Sequence, residues 1–468
     1  MHVGRSRGTR SALAAAVGAA LCLTALACGN YTRRSLDIKR ALAEEDYARA
    51  LEQVEGIDQS SSGLLYLYEK GLVLHYQDRF TESNEAFEAA EQLLEELYTK
   101  SVTRELAATA VTDNITKYRG APFEAVLVNY YKILNYLHLG DVEGAAVECR
   151  RVNRKLQMLS DAGEKTFTND PFLQYLTAMV YEVAREPTDA GVSYRVAVGA
   201  YEELGETYGV QTPAALFCDA AANARRLGDA AEAEAYAARA TCAENTRAGV
   251  RVSLFLECGY VAYKVEENVV LPIFKDDRWD DADEFAPVLV DRYGNTYSSR
   301  KVDYLLRVAL PRLEPVPLPY AAAVVRARPA GARGEAGGQV GGEAVRAVTV
   351  ENLDAVAAYT FAENFGKILL RATVRALIKY GAKKAADSKD EGLGALVNLI
   401  GVATESADTR SWSTLPQRIL MARLQLEPGV WDLDVEFYDE NGARSGETTL
   451  GGVEIGEGRA AFLNYRVY

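Results

Sequence analysis

The stretch YRGAPFEAVLVNYYKILNYLHLGDVEGAAVECRRVNRK, Tyr118 to Lys155, most constrains what this chain can fold into. Ile133, Tyr136 and Leu137 lead up to Gly140-Asp141, and Ala145, Cys149 and Val152 recur at helical spacing beyond it. That pattern predicts two amphipathic helices sharing one tight turn. Small residues stand where the helices must approach closely, and larger apolar ones point outward to meet a neighbouring hairpin. One such pair cannot shield its own apolar face from water, so the unit needs neighbours of the same kind.

The neighbours are present. Aligned on the turn, Gly71, Leu74, Asp78, Ser83, Phe87 and Ala90 keep the mutual spacings of Ile133, Tyr136, Gly140, Ala145, Cys149 and Val152. The frame recurs at Ala178, Tyr181, Arg185, Ala190, Tyr194, Ala197 and at Ala221, Ala224, Gly228, Ala233, Ala237, Ala240, with a partial copy turning at Asp46-Tyr47. This order of small residue, aromatic, turn, Ala, bulky residue, Ala resembles the tetratricopeptide repeat. The resemblance implies a right-handed α-solenoid over residues 28–249 with a concave groove; a generic α-hairpin array would pack similarly. Tyr130, Tyr131, Tyr136, Tyr181 and Tyr194 recur along the copies and are the expected groove anchors for a peptide segment.

The N-terminus gives a cellular address. Arg5, Arg7 and Arg10 precede a 17-residue apolar run, Ser11 to Ala27, too short to span a bilayer comfortably and followed by polar chain, which reads as an export signal over residues 1–27. The run ends Leu-Thr-Ala-Leu-Ala-Cys-Gly-Asn, which resembles the lipobox of bacterial lipoproteins, with Cys28 the acylated residue. In that resemblance Ala25 stands where Leu is usual, and Gly29 matches the context for sorting to the outer membrane. Buried acyl methylenes at ~0.8 kcal/mol each would anchor the chain without a transmembrane helix. The formal charge of −14, which becomes −17 once the three arginines of the signal are removed, repels phosphate backbones, and no long basic patch offsets it; nucleic acid is not an expected partner.

Beyond Gly249 the character changes. RVSLFLECGYVAYKVEENVVLPIF crowds β-branched and aromatic residues together, and residues 250–349 are expected to hold the first strands of a β-module, an acidic loop KDDRWDDADEFAP and a Gly/Pro-rich linker. The acidic loop lacks the central Gly of an EF-hand, so a solvated loop is the plainer reading than a calcium site. Residues 350–411 read as an inserted helical hairpin, its first helix apolar on one side with Lys367, Arg371, Arg375, Lys379, Lys383 and Lys384 opposite. Residues 412–468 return to alternation, as in Val430 to Phe437, and are expected to close the module as a small β-sandwich. The predicted fold class is therefore multidomain α + (α+β): a tetratricopeptide-like α-solenoid, then a small β-sandwich with an inserted helical hairpin.

Chemistry is sparse. Cys218 lies ten residues before the turn at Gly228 and Cys242 fourteen after, so an antiparallel hairpin would set them within a turn of each other; small buried thiols filling helix contacts are the simpler reading. No Cys-x-x-Cys pair, Gly-x-Ser-x-Gly, His-Glu-x-x-His or phosphate loop occurs, and His75 and His138 both precede repeat turns, where surface or capping roles are expected. No catalytic residue, metal or cofactor is expected, although a hidden pair of carboxylates would escape this search. Cys28, the run Tyr118 to Glu124, Leu310-Pro311-Arg312, and the segment Ala407 to Pro416 together resemble a group of uncharacterised Gram-negative envelope lipoproteins with tetratricopeptide-like N-terminal halves. The resemblance implies a non-enzymatic scaffold on the periplasmic face of the outer membrane, attached through its lipid, binding an envelope protein or peptide in the groove, with a link to cell-wall growth. The alternatives are an envelope enzyme acting on peptidoglycan or glycan, and a lipid or outer-membrane assembly factor.

Overall fold

The computed structural model describes residues 30–99, 117–161, 169–242, 249–274, 302–331, 344–387 and 406–468. Cys28, the acidic loop and the second helix of the expected 350–411 hairpin lie outside them.

Helices α1 (Asn30–Ala43), α2 (Tyr47–Glu55), α3 (Gln59–Tyr76), α4 (Phe80–Thr99), α5 (Pro122–His138), α6 (Val142–Asp161), α7 (Pro171–Val183), α8 (Pro187–Tyr208), α9 (Ala214–Leu227) and α10 (Ala230–Ala237) follow one another, each packing on the next. Five tight turns share one backbone solution. A residue with φ between 54° and 82° sits at Glu45, Asp78, Gly140, Arg185 and Gly228. The N–H of the next residue then bonds back five positions, as from Arg79 to Leu74 O at 3.0 Å and from Asp229 to Ala224 O at 2.9 Å. This satisfies carbonyls the helix end would leave bare. Inside one hairpin, a Cβ on Gly71 would lie 2.6 Å from the Phe87 ring, so glycine there lets α4 approach α3.

The strands are β1 (Val250–Cys258), β2 (Tyr263–Phe274), β3 (Val302–Glu314), β4 (Ala322–Pro329), β5 (Ala344–Asn352), β6 (Arg418–Leu426), β7 (Gly429–Tyr438), β8 (Arg444–Ile455) and β9 (Ala460–Val467), with the long α11 (Leu353–Asp387) between β5 and β6. Seven of them form one mixed sheet in the order β8-β7-β4-β5-β6-β1-β9, parallel only between β1 and β9. One face of that sheet closes on itself. Val252, Leu254 and Leu256 of β1 share a cluster with Val325 of β4, Leu424 of β6, and Leu433 and Val435 of β7, so the sheet curls into a nearly closed, barrel-like form. Strands β2 and β3 make a separate two-stranded sheet whose Leu306 and Val308 pack on Ala372, Ala376 and Tyr380 of α11.

The expected solenoid followed by a small sandwich is therefore corrected. The outer face of the barrel lies against the helices: Phe255 of β1, Ile419 and Met421 of β6 and Phe462 of β9 belong to the same apolar cluster as Tyr130, Tyr131, Phe172 and Tyr201. Nearly every β1 residue is buried, one face in the barrel and the other under helices. The face an open groove would have offered to a partner is covered by the chain's own sheet. Two strands were also misread. β4 runs into the stretch read as Gly/Pro-rich linker, and β5 carries strand structure to Asn352, past the expected start of the helical insertion.

Candidate functional site

A densely bonded seam lies where residues 406–417 pass between the helices and the barrel. Two sequence runs far apart in the chain meet there. Pro122 opens α5, and Glu124 accepts from Ala121 N at 3.0 Å, the Tyr118 hydroxyl at 2.6 Å and Trp412 N at 2.9 Å. Arg410 pairs with Asp408 (2.8 Å), donates to Ser61 O (2.8 Å) and lies 5.5 Å from the centre of the Tyr118 ring. Trp412, fully enclosed, stacks on Tyr68 with centroids 4.6 Å apart.

Glu69 of α3 is the second carboxyl in this seam. Burial pushes its pKa from 4.5 to about 7, against the pull of the Thr414 and Tyr31 hydroxyls. The geometry agrees with a proton on it. The Tyr31 hydroxyl lies 2.6 Å from Ser411 O and 3.0 Å from Glu69 Oε1. Its one hydrogen serves the shorter contact, so the other is satisfied when Glu69 donates. Further along, Glu257 of β1 accepts from Tyr76 (2.6 Å) and Tyr130 (2.8 Å), and burial raises its pKa too. Asp170, at the N-terminus of α7, is pushed up by burial, and Glu351 of β5 is held well above the carboxylate range by burial and the Asp170 charge. Glu257 ties helices to sheet, and Glu69, Glu124 and Glu257 have both oxygens engaged from within.

Where the seam reaches solvent there is a small pocket, with about 10 Å³ of enclosed space, enough for one water-sized group. Tyr31, Thr32, Ser35 and Lys39 of α1 form one wall, Tyr263 and Lys264 of β2 another, and Thr409, Ser411 and Ser413 the floor. Ser35 and Ser413 hydroxyls bond at 2.6 Å, and Lys264 donates to Arg410 O at 3.2 Å. Lys39 is only 9% exposed; its ammonium stands 5.1 Å and 5.2 Å from the Tyr260 and Tyr263 ring centres, and burial lowers its pKa to about 8. The lining thus offers donors and positive charge, suited to an anion.

The expected groove anchors are corrected here. Tyr130, Tyr131, Tyr181 and Tyr194 are buried and Tyr136 is partly buried. Tyr130 bonds Glu257 of the sheet, Tyr131 packs among Tyr76, Phe87 and Trp412, Tyr136 rests against Gly144, and Tyr194 lies against Tyr175. Arg150 covers Tyr181. Cys218 and Cys242 are joined by a disulfide, while Cys149 and Cys258 are buried thiols. His75 departs from the expected surface role, whereas His138 is exposed as expected. His75 is buried, bonded to Asn135 (2.6 Å) and Asn464 (2.8 Å), and burial drives its pKa to about 3, while His138 reaches the same Asn464 at 2.8 Å. Among the described residues no His/Cys/Asp/Glu group is arranged to hold a metal ion. Lys39, Lys264 and Glu69 were missed by sequence reasoning. The available signal was the basic α1, with Arg33, Arg34, Lys39 and Arg40 against Asp37, beginning at once after Cys28.

No family model matches the chain, and no curated protein matches it. Among solved structures it is similar to one titled "Crystal structure of BtubC (BKLC) from P. vanneervenii", at 14% identity over 47% of this chain and 94% of that one, with a TM-score of 0.23. No helix of the described residues is long and apolar enough to cross a membrane.

Proposed function

We propose that this protein is a lipid-anchored component of the Gram-negative envelope, held on the periplasmic face of the outer membrane by acylated Cys28. It acts there by binding another envelope component, in the service of cell-wall growth, and not by turning over a substrate. The observation that carries the reading is the continuity between the Arg5/Arg7/Arg10, apolar run and Cys28 pattern and the start of α1 at Asn30. Only one residue separates the lipidated cysteine from the folded body, so the body rests against the membrane. The enclosed positions of Glu69, Glu124 and Glu257 favour binding over hydrolysis of a glycan, for which two carboxyls must flank a substrate bond in an accessible cleft. A second reading, an assembly factor acting at lipid, is favoured by Leu369, Leu370, Leu377 and Ile378, all exposed on α11 near Lys367 and Arg371.

The test is metabolic labelling with a palmitate analogue in a Gram-negative host, followed by membrane fractionation. The wild-type chain is expected to carry label and to sediment with outer membrane, and Cys28→Ser to lose the label and become extractable. An unlabelled wild-type chain would overturn the anchor.

A further inference from the structure

We propose that the pocket between α1, β2 and residues 409–413 is a binding site for a phosphate group, presented by a phospholipid headgroup at the membrane surface. Lys39 provides the first observation. The residue is nine-tenths buried, its ammonium lines the pocket mouth and is flanked by two aromatic rings, and among the described residues no carboxylate or hydrogen-bond acceptor lies in bonding distance of it. Burying an ammonium with three idle donors is costly unless something accepts from them. Charge is the second. The groups around Lys39 are Glu69, Asp354 and Arg466, with Lys264 across the pocket. Glu69 is bonded on both oxygens to Tyr31 and Thr414, and Asp354 is engaged by Ala262 N and Gln417, so neither carboxyl has turned toward the ammonium.

Lining chemistry selects the anion. Two point-charge amines and the hydroxyls of Thr32 and Thr409 converge from three elements, as suits several oxygens around one phosphorus, whereas a planar carboxylate is better matched by an arginine fork. The enclosed space admits the tip of one such group and leaves the rest of the ligand outside. Position selects the source. Tyr31 follows Cys28 by three residues, at most ~11 Å of extended chain, so an acylated Cys28 would hold the pocket mouth within reach of headgroup phosphates. The choice of source rests on the proposed anchor; the phosphate chemistry does not.

The experiment reads Lys39 itself. The full chain carrying Cys28→Ser is treated with a limiting acylating reagent at pH 8, and the rate at Lys39 is followed by peptide mass spectrometry. The additions are inorganic phosphate, phosphatidylglycerol vesicles or phosphatidylcholine vesicles, with sodium chloride of equal ionic strength as the control. Saturating phosphate at ten times its Kd should slow acylation of Lys39 about tenfold and raise the thermal midpoint, while exposed lysines react unchanged. Lys39→Met, which keeps the bulk of the stem, should lose the thermal shift, and Arg40→Gln on the exposed side of α1 should keep it. Protection by vesicles at phosphate-equivalent concentrations below those of the free ion supports the headgroup source. Protection by free phosphate with none from either vesicle overturns the headgroup source. Unprotected Lys39 in every arm, or equal loss of the shift in Lys39→Met and Arg40→Gln, overturns the site, and neither result depends on whether Cys28 is acylated.

Discussion

Arg185 and Asp78 close their hairpins in the left-handed conformation that Gly140 and Gly228 occupy at equivalent turns. A side chain in that region costs about 1 kcal/mol or more relative to glycine. Arg185 is exposed, so Arg185→Gly is expected to raise stability by about 1 kcal/mol in urea titrations; a loss would mean that its side chain contributes contacts of its own. These turns were legible in the sequence because Gly140 and Gly228 mark them and the frame carries the mark to Arg185. Glu69 was not, because its partners Tyr31 and Thr414 lie 38 and 345 residues away and no local pattern announces them. Its titration has a definite sign. The unfolded chain ionises Glu69 near 4.5 and the folded chain near about 7, so between those values the folded state holds the extra proton and stability falls as pH rises, levelling off above. Glu69→Gln keeps an acceptor for Thr414 and a donor for Tyr31. Its stability relative to wild type should therefore climb between pH 4.5 and 7, by up to roughly 3 kcal/mol, and a difference flat across that window would refute the proton on Glu69.

At the scale of elements, β1 shows why the expected sandwich does not form. Arg251, Ser253 and Glu257 alternate with Val252, Leu254 and Leu256, and alternation of that kind ordinarily signals one wet face. Here the polar face is dry. Arg251 pairs with Glu182 (3.0 Å) and Asp219 (3.3 Å), Glu257 takes two tyrosine hydroxyls, and Arg423 of the neighbouring β6 pairs with Asp219 at 3.0 Å. A sequence shows that a residue is polar, not whether water or a distant helix will satisfy it. β4 was lost for a related reason: it runs into the proline- and glycine-rich stretch, and pairing with β5 and β7 supplies what local propensity does not. Asp219 should be costly to neutralise, because Arg423 would be left without its carboxylate partner, while Arg251 keeps Glu182. Asp219→Asn is expected to cost about 3 kcal/mol, with Asp219→Asn/Arg423→Met recovering part of that loss. Strict additivity of the two changes would show that the pair does not couple helix to sheet.

Taken whole, the molecule differs from two domains in series because its largest apolar cluster belongs to both halves, with Trp412 among helix side chains and Phe255 edge-on to Phe172 at 5.5 Å. The sheet thus covers the helical face where a groove was expected, and the proposed phosphate site lies at the rim of the seam, where the Lys39 pocket opens. Native-state hydrogen exchange in rising urea tests this unity most directly, reading peptides from α5 (Pro122–His138) and β7 (Gly429–Tyr438) in the wild-type chain. One shared core predicts that the slowest amides of both peptides converge on the same opening free energy and the same dependence on urea. Barrel amides that stay protected after those of α5 have opened fully would contradict it.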